Sequence, residues 1–148
     1  MTERRFKPLP GKLARALLDH QRWLSSDGRF GKRLECDPDT QFADFDLDGM
    51  DFSGASLQSA YFKGGSTRGA RFVGTDLAYS TFDSSDLEGA DFGSANLAWA
   101  TFATNHDKAN FEGALLHHTA WSREEGKRND KLLERLMAPR EPDKGQSR

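Results

Sequence analysis

From Leu47 onward, large apolar residues recur every five positions. Leu47, Phe52, Leu57, Phe62, Phe72, Leu77, Phe82, Leu87, Phe92, Leu97 and Phe102 share one register, broken at Thr67. Two residues before each of these the side chain is small in most units, as at Ala55, Ala60, Gly65, Ala70, Thr75, Ser80, Ser85, Ala90, Ala95 and Ala100. Two residues after, glycine returns at Gly49, Gly54, Gly64, Gly69, Gly74 and Gly89. A helix repeats its face every 3.6 residues and a strand every 2, so neither accounts for a period of five. A chain that turns a corner every five residues does. The large and the small residue point inward, the other three point outward, and glycine near the corner tolerates backbone angles that other residues resist.

The units ADFGS (90–94), SDLEG (85–89) and ANLAW (95–99) resemble the pentapeptide-repeat family, whose unit is A-(D/N)-(L/F)-x-x. The resemblance implies an all-β solenoid, a right-handed quadrilateral β-helix with four units per coil. Residues 20 apart should then stack, and they match by type: Phe52, Phe72 and Phe92; Leu57, Leu77 and Leu97; Phe62, Phe82 and Phe102; and, more weakly, Leu47, Thr67 and Leu87. After Phe102 the next unit, Ala109-Asn110-Phe111, arrives nine residues on rather than ten, so the Thr104 to Lys108 corner is one residue short. Realigned, Phe111, Leu116 and Trp121 extend three of the columns. Upstream, Phe42 lies 20 before Phe62, and Leu34-Glu35-Cys36 forms a partial unit. Residues 34–123 thus make about four coils, a solenoid roughly 20 Å long at the usual spacing of parallel strands.

A short solenoid exposes raw strand edges at both ends, and both flanks carry helical patterns that would cover them. Residues 1–33 read as an N-terminal helical cap. Its helix runs from Gly11 to Ser25 with Leu9, Leu13, Leu17, His20 and Leu24 along one side, and Gly28 stops it. The stretch from His20 to Leu24, with Gly28 and Gly31-Lys-Arg33, resembles a lead-in that precedes many bacterial arrays of this kind. At the other end Ser122-Arg-Glu-Glu125 is a capping box that opens a helix over 124–138, ahead of Pro139. Leu132, Leu133, Leu136 and Met137 form its apolar face. That face either lies as a lid on the last coil or meets another protein, including a second copy of this chain in a homodimer. The polar tail, 139–148, is expected to be disordered.

Composition sharpens this picture. With 36% hydrophobic and 30% charged residues, the chain falls near the disordered class, but its phenylalanines keep a strict period that disorder does not need. A net charge of −2 and a pI near 6.1 argue against direct nucleic-acid binding through a broadly basic surface. The one cysteine, Cys36, permits no internal disulfide. No apolar run approaches the ~20 residues of a transmembrane helix, and Met1 to Pro10 lack a signal-peptide core, so a cytoplasmic location is the expectation.

Candidate chemistry is sparse. His106, Asp107, His117 and His118 would need to converge as three or four ligands to hold a metal, and neighbouring solenoid side chains diverge, so no metal is expected. Cys36 lacks a basic partner in sequence and reads as an inert core thiol. The aspartates before the large residues suit hydrogen bonds to the turn backbone rather than acid–base work. No catalytic residue and no cofactor are therefore expected. The outward positions Ala78-Tyr79, Ala98-Trp99 and His117-His118 instead make an aromatic strip on a charged rod, which points to a non-enzymatic scaffold that binds a protein partner through Tyr79, Trp99 and His118 or through the C-terminal helix. The alternative that the family resemblance brings is a DNA-mimicking modulator of DNA gyrase or topoisomerase. Duplex DNA carries a charge per ~1.7 Å, about three per coil rise, whereas residues 42–123 hold 5 basic and 11 acidic residues, net −6 over about four coils. Arg71, between Asp51 and Asp91, and Arg68, between Asp48 and Glu88, also interrupt the acidic columns.

Overall fold

The computed structural model describes residues 6–103 and 106–139; the tail expectation for 139–148 falls, past Pro139, outside them. The five-residue period becomes a four-sided right-handed coil. On the first side, β1 (Gln41–Ala43), β2 (Tyr61–Lys63), β3 (Thr81–Asp83) and β4 (Thr101–Phe102) pair in parallel in that order, each 20 residues after the last. Single parallel bridges mark the other sides: Asp46–Ser66–Asp86 on the second, Asp51–Arg71–Asp91–Asn110 on the third, and Glu35–Ser56–Asp76–Asn96–Leu115 on the fourth. Helices α1 (Gly11–Ser25) and α2 (Arg123–Met137) flank the solenoid, where the sequence places them.

The columns form as the spacing requires. Phe42, Phe62, Phe82 and Phe102 stack with centroids 4.6–4.9 Å apart and planes within 8°. Phe52, Phe72, Phe92 and Phe111 stack at 4.8–5.2 Å, edge-on to the first column. The rings from Phe42 to Phe102 and Leu47, Leu57, Leu77, Leu87 and Leu97 are essentially inaccessible, so the narrow bore is filled by identical side chains in layers. The exception at Thr67 has a neighbour that explains it. In the coil below, the position that is small elsewhere carries buried Phe45, and above it stand Gly65, whose added Cβ would lie 2.4 Å from the Phe45 carbonyl oxygen, and Thr67. The large side chain below is matched by the two smaller residues above.

Two register changes bound the regular coil. Cys36 N–H donates to Ser56 O and Glu35 bridges Ser56, an offset of 21, so the first half coil has one extra residue. At the far end, Asp91–Asn110, Asn96–Leu115 and Thr101–Ala120 are offset by 19. The hydrogen bonds locate the lost residue. Gly49 donates to Arg68, Gly69 to Glu88 and Gly89 to Lys108, all at the ordinary interval, whereas Asn110 N–H to Ala90 O is one residue shorter than Asp91 N–H to Ala70 O. The deletion therefore follows Lys108, at the place of the corner glycine, rather than within 104–108. A single 3-10 turn, His106–Lys108, takes up the shortened path.

Candidate interaction surface

The two ends of the coil differ. In this coil type each side sends N–H groups to carbonyls of the next turn: Phe72 N–H to Asp91 O and Gly74 N–H to Gly93 O on the third side. In the first turn the equivalent carbonyls, Asp51 and Ser53, have no turn beneath them. α1 supplies the missing donors. Gln21 Nε2 donates to Asp51 O at 3.0 Å and His20 Nε2 to Ser53 O at 3.1 Å, while His20 Nδ1 accepts from Leu34 N–H at 3.0 Å. The imidazole is fully buried, stacks on Trp23 at 5.4 Å, and is held as a neutral ring because burial lowers its pKa. Leu9, Leu13, Ala16 and Leu17 close the bore beneath. α1 thus stands in for a further turn on the third side, where it supplies the donors, and its apolar residues close the bore.

α2 does not do the same at the other end. Ser122 caps it, accepting from Glu125 N–H at 3.1 Å, and Glu125 Oε2 accepts at 2.7 Å from Trp121 N–H, one residue before the N-cap N–H that a capping box would engage. The helix then crosses the outer wall of the first side. Arg123 pairs with Asp83 at 2.6 Å, Gly126 sits directly on Thr101, and Asn129 Nδ2 donates to the His118 carbonyl at 2.6 Å. Among the strands it packs against β4. It braces the wall and is not a lid over the last coil. Gly126 is its one buried residue; Leu132 and Leu133 are half-buried, and Leu136 and Met137 stand 63% and 77% exposed.

The last coil consequently shows its interior. Phe111 and Trp121 are half-buried and Leu116 is 40% exposed, while Leu115, 53% exposed, continues the outward Ser56–Asp76–Asn96 column on the wall. His106, Asp107, Ala109, Phe111 and Trp121 rim an open recess of about 550 Å³. The sequence leaves open whether the C-terminal helix is a lid or a partner contact, and it does not group these residues as a rim. The available signal was that no further unit follows Trp121.

The aromatic strip adjoins this end. Each corner holds a residue in the left-handed region, with two in succession at Gly64 and Gly65. Two corner columns are filled mainly by Gly, with Ser94, and a third carries Asp44, Gly64 and Ser84. The fourth carries Ser59, Tyr79, Trp99 and His118, at φ 58°, 62°, 61° and 56°. Bulky residues rarely adopt this region, at a cost of order 1 kcal/mol each. Trp99 and His118 stack at 4.2 Å, and Tyr79 is 47% exposed. Tyr79, Trp99 and His118 therefore line one corner, and α2, which carries Leu132, Leu133, Leu136 and Met137, reaches that corner where Asn129 binds the His118 carbonyl.

The other expected sites resolve into structural roles. Asp46, Asp51, Asp76, Asp86 and Asp91 each accept the N–H two residues on, as do Asn96 and Asn110. They are turn-forming groups. Arg68 reaches Glu88 at 3.2 Å and Asp86 at 3.6 Å, and Arg71 reaches Asp51 at 3.8 Å. His106 packs on Trp121 and His118 on Trp99 rather than converging on each other. Burial pushes the Cys36 thiol up to about 11, aided by Asp37, which leaves it protonated and unreactive near neutrality. Among the described residues no helix is long and apolar enough to cross a membrane.

These features define a short four-sided solenoid, sealed at its N-terminal end and open at its C-terminal end. The model of the pentapeptide repeats, 8 copies, matches residues 55–93 and 70–104, and through this array the chain belongs to the pentapeptide-repeat family. No curated protein matches the sequence. Solved structures with the same kind of repeat include HetL, involved in heterocyst differentiation regulation in the cyanobacterium Nostoc sp. strain PCC 7120, at 26% identity and a TM-score of 0.47, over 55% of this chain and 38% of HetL. A thylakoid-lumen pentapeptide-repeat protein of Arabidopsis thaliana aligns at 20% identity and 0.40, over 96% of this chain and 90% of its own. Rfr23 of the cyanobacterium Cyanothece 51142 aligns at 19% and 0.36, over 64% and 68%. The chain thus spans well under half of HetL.

Proposed function

We propose that this chain is a non-enzymatic protein-interaction module whose contact surface is its C-terminal end together with the Tyr79/Trp99/His118 corner and the apolar face of α2. The observation that supports this most is the asymmetry of the ends. α1 gives donors to the third-side carbonyls of one edge and closes its bore, with Leu18 and Phe30 exposed on the cap itself, whereas at the other end the rim residue Leu116 and Leu136 and Met137 of α2 stay exposed and, among the described residues, no helix closes the bore. Grouped exposed apolar and aromatic side chains are what partner surfaces offer. That Tyr79 occupies a left-handed corner where glycine is easier supports the same reading, while Trp99 and His118 offset part of that strain by stacking on each other.

The gyrase-directed alternative draws no specific support from the geometry. The carboxylates that would imitate phosphates are engaged in turns, and Arg68 and Arg71 stand among them. Inhibition of gyrase supercoiling at micromolar protein would restore that alternative. The test of the main reading is cross-linked affinity capture from the native cell, comparing wild type with a Tyr79→Ala/Trp99→Ala chain and a Leu136→Asp/Met137→Asp chain. A partner should be recovered by wild type and lost from at least one variant with the fold intact. Identical recovery by all three would remove this surface from consideration.

A further inference from the structure

Independently of that reading, we infer that the N-terminal cap docks on the surface of an anionic lipid bilayer, with the coil standing away from it. The cap is the basic part of the molecule. Residues 6–33 hold seven Lys and Arg residues against Asp19 and Asp27, net +5, whereas residues 42–123 are net −6. α1 uses its two faces differently. Leu13, Leu17 and His20 pack on the coil. The opposite face carries Arg15, Leu18 and Arg22, spaced by three and four, and Leu18 is 67% exposed. The turn after the helix adds a second apolar group. Ser26 Oγ accepts from Phe30 N–H at 2.8 Å and donates to the Arg22 carbonyl at 2.7 Å. Gly31 seats against the helix so closely that an added Cβ would lie 2.2 Å from Asp19 O. These contacts hold Phe30 on the outer side of the cap, 69% exposed and flanked in the chain by Arg29 and Lys32.

The cations are as uncommitted as the apolar groups. Arg33 pairs with Glu35 at 2.9 Å, but among the described residues Lys12, Arg15, Arg22, Arg29 and Lys32 make no ion pair. Lys12, Arg15, Lys32 and Arg33, with Asp19 and Glu35, line a cavity of about 540 Å³ between α1 and the segment that follows Gly31. That surplus of positive charge suits a phosphate-bearing headgroup. Dispersed cations around exposed apolar side chains match an anionic interface, which offers charge across its whole surface and takes apolar side chains among its acyl chains. A nucleic-acid duplex would answer the cations alone and leave Leu18 and Phe30 in water. The charge separation also sets the orientation. The coil is roughly 20 Å long and charges are screened over about 8 Å at physiological salt, so the acidic walls beyond the first turn stay out of range when the cap faces the lipid. In that pose the open C-terminal end points away from the membrane.

The test is sedimentation of the purified full chain with vesicles of phosphatidylcholine alone and of phosphatidylcholine with about 30% phosphatidylserine. The chain should bind the anionic vesicles and not the neutral ones, and added salt should weaken binding. Each Lys or Arg is worth roughly fivefold at such a surface, so Arg15→Gln/Arg22→Gln should lower the partition about 20-fold or more. Phe30→Ser should lower it about 10-fold or more while near-ultraviolet circular dichroism stays that of wild type. Should Phe30→Ser unfold the cap, Leu18→Ser gives the same reading. Leu136→Ser/Met137→Ser, on α2, should bind as wild type does. Absence of binding to the anionic vesicles overturns the inference, as does binding that survives the cap substitutions or is lost with the α2 pair. Binding to duplex DNA or to an acidic peptide without vesicle binding, sensitive to the arginine pair and not to Phe30→Ser, also overturns it and assigns the cap to a soluble polyanion. None of these outcomes decides whether the far end captures a protein, so the two readings fail separately.

Discussion

Replacing His20 with leucine isolates what holds the N-terminal cap. The substitution keeps an apolar side chain of similar bulk but deletes an acceptor for Leu34 N–H and a donor to Ser53 O, both made by one fully buried ring. A buried backbone group left without a partner costs about 1–3 kcal/mol, so two orphans predict a loss of about 2–6 kcal/mol if the cap stays docked. Undocking α1 would let water reach both groups, but it would uncover Leu17 and the underside of the Phe52 layer, at roughly 1.5–3 kcal/mol per large side chain. The two routes cost similar amounts. The loss should therefore appear in urea denaturation, with a melting shift of about 5–15 °C, and as faster amide exchange confined to α1 and the first turn.

The same ring predicts a pH dependence with a definite sign. Burial, the largest influence, holds the His20 pKa below its ordinary value; the Ser53 carbonyl and Asp51 oppose this, and Arg33 assists it. Above ~6.5, the unfolded value, both states carry neutral imidazole and the full contribution is present. As pH falls below ~6.5 the unfolded chain binds a proton that the folded chain resists, so stability declines toward the lower folded value. Protonation also removes the acceptor for Leu34 N–H. The carboxylate of Asp83 is shifted down chiefly by its hydrogen bond from Arg123, so its contribution fades only at more acid pH, as pH falls below ~4 toward its folded value. Denaturation at pH about 7.5 and about 5.5 separates the two windows. Wild type should lose stability between these points and His20→Leu should lose much less. An equal acid decline in both proteins would refute the assignment.

Three further outcomes follow from the core. Ser80 Oγ is buried without a hydrogen-bond partner among the described residues, in a column whose neighbours are Ala60 and Ala100, so Ser80→Ala should stabilise the protein by about 1 kcal/mol in urea denaturation, an unusual sign for a core substitution. Phe72→Ala, between rings at 4.9 and 4.8 Å, should cost about 3–5 kcal/mol, whereas Phe111→Ala, with one stacking neighbour and a half-open site, should cost less than half of that in the monomer; equal losses would contradict the nearest-neighbour account of the coil. Cys36, its thiol raised to about 11, should alkylate at pH about 8 roughly 100-fold more slowly in the native chain than after denaturation, as read by mass spectrometry.

Most of the fold was legible because a solenoid converts sequence period directly into contact. A residue 20 positions away is a neighbour, so Phe62 and Phe82 reveal their stacking by spacing alone, and the change of offset to 19 at Asn110 reveals the shortened corner. The exact corner was not legible: Lys108 keeps the old register and Asn110 the new one, and hydrogen bonds rather than side-chain type distinguish them. The trajectory of α2 was not legible either. Its apolar face and capping box specify a helix, but Arg123 to Asp83, Gly126 on Thr101 and Asn129 to the His118 carbonyl lie outside the repeat and follow no period. Those contacts carry the functional argument, because they hold α2 on the wall and leave the last turn bare. The corner position of Tyr79, Trp99 and His118, in contrast, could be read in advance. Counting in fives places them where Gly54, Gly69, Gly74 and Gly89 stand on other corners, and a backbone angle that favours glycine there must be adopted by an aromatic residue here. Glycine would satisfy the coil at lower strain; the Trp99–His118 stack at 4.2 Å returns part of that strain within the coil, so Tyr79, 47% exposed, is the ring whose place the coil itself explains least.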